Sequence, residues 1–159
     1  SLVGSEMCIR DRSDSECVRT TTFAEVDDSI RKGQLSHLVA GSWVYGSFST
    51  WIGSTDKNRG WDLLVEAKLA YDQVMAGKKL SARQREKATE ILAVCEGSDW
   101  FWWFGDYNPS GSVSDFDRLF RNQLKSLYHA LKLPEPAVLD TPLSLGGGSM
   151  ENAGTMRRN

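Results

Sequence analysis

The sequence lacks the features that several large classes of protein require. Its 19 Lys and Arg residues are outnumbered by 21 Asp and Glu, a formal net charge of −2, so no excess of cations is present to neutralise a nucleic-acid backbone. No apolar run reaches the roughly 20 residues needed to span a bilayer. The first residues also lack the basic start and the apolar stretch of a secretory signal. We therefore expect neither a nucleic acid nor a membrane as a partner.

Cysteine is scarce as well. Cys8, Cys17 and Cys95 are odd in number and have no CxxC spacing, which argues against a disulfide framework and against a zinc site. This usage favours a reducing, cytoplasmic compartment. Cys95 lies on an apolar helical stripe, which predicts a small buried hydrophobic residue.

Familiar catalytic motifs are missing too. The chain has no phosphate loop, no GxSxG, no HExxH and no Rossmann glycine pattern, so no metal and no other cofactor is predicted. Its two histidines are isolated. His129 is predicted to be a partly exposed helix residue, whereas His37 lies in a loop-rich region and contact with a site stays open there.

The first twelve residues are unusual. "SLVGSEMCIRDR" resembles the translation of a sequencing adapter joined in frame. On this interpretation residues 1–12 are an artefact and the native chain extends upstream of Ser13, so these residues are kept out of the fold argument. The alternative is a genuine N-terminus.

The middle of the chain has helical periodicity. A first helix is predicted at about 58–75, ended by Gly77. A second begins at Ser81, whose hydroxyl can form a capping box with Gln84. The apolar positions of these two helices are Trp61, Leu64, Val65, Tyr71, Val74 and Met75 in the first, and Ala88, Ile91, Leu92 and Cys95 in the second.

A third helix is predicted from Ser114 to the prolines at 134 and 136. Asp115 and Asp117 are explained by the positive end of this helix. Its predicted buried face comprises Phe116, Leu119, Phe120, Gln123, Leu124, Leu127, Tyr128 and Leu131. The Arg83, Arg85, Glu86 and Lys87 run of the second helix is interpreted as a solvated face.

The remaining segments are irregular. Residues 23–30 could form a short helix, and the glycine-punctuated stretch 31–53 is interpreted as loops with brief extended pieces. The chain is thus predicted to be mainly α, with a loop-rich segment at 13–60 and a helical domain at 61–142. The Gly-rich residues 143–159 are predicted to be a tail or linker.

Residues 98–105, "SDWFWWFG", contain half of the six tryptophans. If the segment is extended, Asp99, Phe101 and Trp103 alternate with Trp100, Trp102 and Phe104. The aromatics could be core, or some could face a cleft as platforms for the apolar face of a sugar ring. Asp99 favours the cleft, because an acid among aromatic rings is costly unless it is hydrogen-bonded or serves a ligand.

A sugar site would also need polar groups around such platforms. The candidate platforms are Trp43, Trp51, Trp100, Trp102 and Trp103. The candidate polar rim consists of Asn58, Asp99, Asp106 and Asn108.

Three stretches resemble the C-terminal part of glycoside hydrolase family 57, in its amylopullulanase and α-amylase-like branch. They are "AGSWVYGSFSTWIGSTDKNRGWDLL" (40–64), "EGSDWFWWFGD" (96–106) and "FDRLFRNQLKSLYHALKLPEPAVLD" (116–140). Their order and approximate spacing agree with the family from about Thr20 to Pro142. "SDWFWW" is the most specific piece.

The resemblance implies a helical domain that packs over the active-site face of an incomplete (β/α) barrel. Retaining cleavage or transfer of α-glucosidic bonds needs a glutamate nucleophile and an aspartate acid/base. In the family both come from barrel strands that precede the region seen here. The chain is therefore expected to lack a catalytic pair, to be inactive alone, and to have an α-glucan and the missing barrel as partners.

Carried over by position, Trp43, Asp99 and Trp100 are expected to line the glucan subsites, followed by Trp51, Trp102 and Trp103. Two positions depart from the family pattern. Phe104 stands where Tyr is common, and the turn "DYNPSG" lacks a paired acid after Asp106. The alternative hypothesis is a self-sufficient helical module that binds carbohydrate or protein without catalysis.

Overall fold

The computed structural model describes residues 16–17, 19–26, 33–77 and 79–148. The chain divides into two units, Ser1–Val39 and Ala40–Asn159. In the first unit, the short helix predicted at 23–30 is present as a 3-10 helix, Phe23–Glu25, while residues 27–30 and 1–12 lie outside the described residues. His37 is exposed.

The second unit is helical, which confirms the predicted mainly α character of the fold. Its helices are α1 (Thr55–Ala76), α2 (Ala82–Cys95), α3 (Asp99–Trp103) and α4 (Ser110–Ala130), followed by a 3-10 helix, Ala137–Asp140. Helix α4 packs against the other three. No strand occurs in the described ranges, where an isolated bridge joins Pro109 and Gly148. No described helix is long and apolar enough to cross a membrane.

The loop that precedes α1 lies in the same unit as the helices, since the unit boundary is between Val39 and Ala40. This loop is hydrogen-bonded to side chains of α1. The loop and α1 therefore belong to one folded unit.

Helix α2 begins as predicted. The Ser81 hydroxyl accepts a hydrogen bond from the Gln84 amide at 3.3 Å, and the Gln84 side chain accepts one from the Ser81 amide at 2.9 Å. This capping box satisfies two amides that a helix N-terminus otherwise leaves without partners. The predicted burial of Cys95 is confirmed, and desolvation raises the pKa of its thiol to about 12.

The solvated face predicted on α2 is confirmed except at one residue. Arg85 is partly buried and donates hydrogen bonds to the carbonyls of Met75 and Gly77 at the end of α1. The prediction for His129 is also confirmed, since its side chain is 68% exposed and pairs with Glu135.

Residues 99–103 of the octet form helix α3, so the condition for the alternation, an extended segment, is not met. One helical turn brings Phe101 and Phe104 to the same side, where both are fully buried. Phe104 thus lies in the core rather than beside a ligand. The buried side of this turn packs between α1 and α4, where Phe101 contacts Trp61 and Phe120.

The core is built around edge-to-face contacts among three phenylalanines. The ring centroids of Phe101, Phe104 and Phe120 are 5.5–6.0 Å apart, at interplanar angles of 68–80°, a favoured aromatic arrangement. Trp61 of α1 stacks on Phe101 at 3.9 Å. Gly60 lets α1 lie close to the phenylalanine rings, since a methyl group at this position would lie 3.1 Å from the Phe104 ring.

Helix α4 starts at Ser110 rather than Ser114, which changes the interpretation of its two aspartates. Both lie beyond the first turn, so the predicted explanation by the positive helix end is wrong. Asp115 forms an exposed pair with Arg118. Asp117 is 2% exposed and accepts hydrogen bonds from Arg121 and from the Leu143 amide. Leu119, predicted to be buried, is 46% exposed.

The first residues of the predicted tail are packed. Leu143 and Ser144 are buried, and the Ser144 hydroxyl donates to Asp56 at 2.6 Å and accepts from the Gly105 amide at 3.1 Å. The amides of Gly147 and Gly148 donate to the Asn108 carbonyl. The folded unit therefore extends at least to residue 148.

We expect Asp117→Ala to lower the free energy of unfolding by about 3 kcal/mol, because it leaves the largely buried Arg121 guanidinium without its carboxylate. Asp115→Ala is the matched control on the same helix. Its pair with Arg118 is exposed, so we expect a change within about 0.5 kcal/mol. Urea unfolding of both variants at pH 7 measures the difference, and equal losses would contradict this account.

Candidate functional site

Three of the six predicted site residues come together in an aromatic platform formed by Trp43, Trp51 and Trp102. The rings of Trp43 and Trp102 are nearly parallel, with centroids 5.9 Å apart and an interplanar angle of 7°. Trp51 is tilted by 44° against Trp102 at 5.6 Å. Trp43 is 72% exposed, so the residue is accessible to a ligand.

The other three predicted residues do not join the platform contacts. Trp103 stacks on Phe116 at 4.7 Å. Trp100 packs against Phe116 and Phe120, and its indole nitrogen donates to the Val94 carbonyl at 2.9 Å. Asp99 is exposed at the start of α3. Helix α3 thus divides its tryptophans between two neighbourhoods.

The predicted polar rim is also divided. Asn108 is buried, and its side-chain amide donates to the carbonyls of Trp102 and Trp103. Asn58 accepts a hydrogen bond from the Gly53 amide. Asp106 lines an open groove of about 400 Å³ together with Asp56 and residues 141–143, 145 and 146. Two of the four rim candidates therefore support the backbone around the platform.

The first turns of α1 hold the platform loop through three side chains. Lys57 donates to the Thr50 carbonyl, Asn58 accepts from the Gly53 amide at 2.9 Å, and the Trp61 indole donates to the Trp51 carbonyl at 2.9 Å. These contacts fix the backbone on both sides of Trp51. The platform is consequently attached to a regular helix, which favours a fixed geometry.

Lys57 also reaches the other side of the platform. Its amine donates to the Tyr107 hydroxyl at 2.6 Å and lies 4.8 Å from the centroid of the Tyr107 ring. That hydroxyl donates in turn to the Trp102 carbonyl at 2.9 Å. Lys57 is 1% exposed, and desolvation lowers its pKa to about 8. One buried amine thus connects the backbones that carry Trp51 and Trp102.

A tight turn presents Trp43 and Tyr45. Val44 is 1% exposed, while Trp43 and Tyr45 on either side of it are exposed. Tyr45 and Gly46 both have positive φ, of 53° and 63°, and the Ser47 amide donates to the Val44 carbonyl at 3.2 Å. This is the φ pattern of a type I′ turn, whose central positions favour Gly, Asn or Asp. A tyrosine held there costs about 1–3 kcal/mol.

This arrangement suits binding better than bond cleavage. Exposed indole rings can stack on the apolar face of a sugar, and the supporting hydrogen bonds keep them in place. Phe48 and Ile52 extend the exposed apolar surface of the same loop. Within the described ranges, no three His, Cys, Asp or Glu side chains are grouped to hold a metal ion.

Comparison with known proteins returned no match. No family model, curated protein or solved structure resembles the chain closely enough to be reported.

Two residues of this region were missed by sequence reasoning. Tyr45 gave no signal beyond its place two residues after Trp43. Lys57, next to Asp56 near the start of a helix, has the appearance of a solvated charge. Only the packing of Tyr107 and the loop around Lys57 shows that it is buried.

We expect Lys57→Met to remove a pH dependence of stability. The pKa of Lys57 is about 8 in the folded chain against an ordinary 10.5, so between these values the folded chain has lost a proton that the unfolded chain still holds. The wild-type free energy of unfolding should therefore rise with pH relative to the variant, by about 3 kcal/mol in total.

Urea unfolding of both proteins between pH 7 and 10.5 measures this difference. The Cys95 thiol, whose pKa is raised by burial, acts in the opposite direction as the pH rises, but it is present in both proteins and cancels. Parallel stability curves for the two proteins would contradict the burial of a lowered-pKa amine at position 57.

Proposed function

We propose that this chain is the helical, substrate-lining part of a retaining α-glucan-active glycoside hydrolase or glucanotransferase of family 57. The proposal depends on the family-like stretches at 40–64, 96–106 and 116–140. The observation that carries it is the aromatic platform: two of the family-like stretches, distant in sequence, contribute Trp43 and Trp102 to one stacked pair.

The chemistry of the platform matches an α-glucan. A glucose ring has an apolar face of C–H groups, which can stack on an indole, and a rim of hydroxyls, which needs polar partners. Trp43 offers an exposed ring, and the Tyr45 hydroxyl lies on the same turn. We assign to these residues the binding of substrate, while the Glu and Asp of the reaction belong to the barrel of the parent enzyme.

A second surface supports the proposed barrel as a partner. Val65 and Leu69 of α1 and Val94 of α2 are 49–58% exposed. Trp61, Leu64, Val65 and Leu69 line an open apolar depression of about 350 Å³. Exposed apolar surface of this kind is typical of a contact with another domain or chain.

The second candidate function is a helical module that binds carbohydrate or protein without catalysis. It is favoured by the complete core of the second unit, in which Phe101, Phe104 and Phe120 are fully buried. A unit with its own core can fold by itself. This candidate shares the platform with the first and differs from it in having no barrel.

We expect Trp43→Ala to weaken binding of maltoheptaose at least about tenfold, since it removes the most exposed ring of the platform. Isothermal titration calorimetry of the full chain measures the dissociation constant. Trp103→Ala is the matched control: it also removes a tryptophan from a stacked pair, with Phe116, but lies outside the platform. Equal weakening by both variants, or no binding by the wild type, would oppose the assignment.

The two candidate functions are separated by the reading frame upstream of the codon for Ser13. An open frame that encodes a barrel with a strand-end Glu and a later strand-end Asp supports the enzyme. A start codon directly upstream supports the module. The calorimetric experiment is the same for both, because both bind through the platform.

A further inference from the structure

Tyr45 combines backbone strain with exposure: its type I′ turn requires a positive φ at this position but does not require a tyrosine there. Among the described residues that are not glycine, Tyr45 and Lys132 have positive φ. Lys132 follows the C-terminus of α4, where the Leu133 amide donates to the Tyr128 carbonyl. A left-handed residue is the common way to end a helix. Tyr45 does not end a helix, and a Gly or Asn would adopt its turn conformation more easily.

The turn around Tyr45 is held rigidly. The Ser42 hydroxyl donates to the Ser47 carbonyl at 2.6 Å and accepts from the Val44 amide at 3.2 Å. Val44 is buried and anchors the centre of the segment. Because the surrounding bonds determine the turn so completely, they can keep a bulky residue in a conformation that Gly or Asn would adopt more easily.

The strained side chain lies next to the platform in the chain. Tyr45 is 58% exposed, and its Cα can be no more than about 7 Å from that of Trp43. A phenol offers both a ring face for stacking and a hydroxyl that donates and accepts hydrogen bonds. These are the two properties that a second glucose unit, bound beside the first, would require.

We infer that Tyr45 is a ligand-contacting residue of the aromatic platform, which binds the glucose unit adjacent to the one stacked on Trp43. This inference rests on the proposed function and names a further subsite for the same α-glucan. Strain retained at an exposed residue of a binding surface is expected where the side chain is kept for its ligand rather than for stability.

The test compares Tyr45→Asn with wild type in two measurements. Asn tolerates the left-handed conformation, so Tm should stay equal or rise, whereas the dissociation constant for maltoheptaose should increase about tenfold. Tyr45→Phe keeps the ring and should lose only part of that affinity. Lys132→Asn is the matched control. It also places Asn at a position with positive φ, but just after the C-terminus of α4, and we expect it to leave binding unchanged.

The outcomes distinguish this inference from the proposed function. If wild type binds maltoheptaose and Tyr45→Asn binds equally well, the inference is overturned and the platform stands. If Tyr45→Asn lowers both Tm and affinity, Tyr45 is a structural residue and the inference is also overturned. If wild type does not bind, the proposed function and the inference fail together.

Discussion

The second unit depends on one contact: the packing of Phe101 and Phe104 of α3 against Phe120 of α4. These rings join α3, the shortest of the four α-helices, to the buried face of α4. Trp61 and Gly60 of α1 contact the same rings. Once Phe101 is fixed in the core, the next residue, Trp102, must leave it on a different side of the helix. The position of the platform is therefore a consequence of core packing.

The phenylalanines hold the helices together, and the buried amine of Lys57 holds the platform loop in place. Lys57 joins the backbone beside Trp51 to the backbone of Trp102 through the Tyr107 hydroxyl. Burying an amine is unfavourable, as its lowered pKa shows. The loop that Lys57 supports also keeps Tyr45 in a strained turn. A buried amine that supports this loop and a strained residue within it are features typical of a region shaped for binding.

Sequence patterns predicted the long helices because apolar residues repeat at helical spacing along α1, α2 and α4, and because the Ser81 and Gln84 cap is local. They could not predict the octet. Five residues are too few to separate alternation from a helical turn, and the choice is made by Gly60 and Phe120, which lie far away in the chain. For the same reason the sequence could name Trp100, Trp102 and Trp103 but not choose Trp102 as the platform residue. Burial of Lys57 and the φ of Tyr45 depend on tertiary packing, which local patterns do not contain.

The hydrogen bond from Ser144 to Asp56 joins residues 88 positions apart. Contacts between distant residues form more slowly than helical turns, since a long loop must close first. A chain emerging from the ribosome can therefore form α1, α2 and α4 from local contacts, while the N-terminal turn of α1 waits for residue 144 to be synthesised. A residue translated well after α1 thus completes the hydrogen bonding of Asp56, next to Lys57.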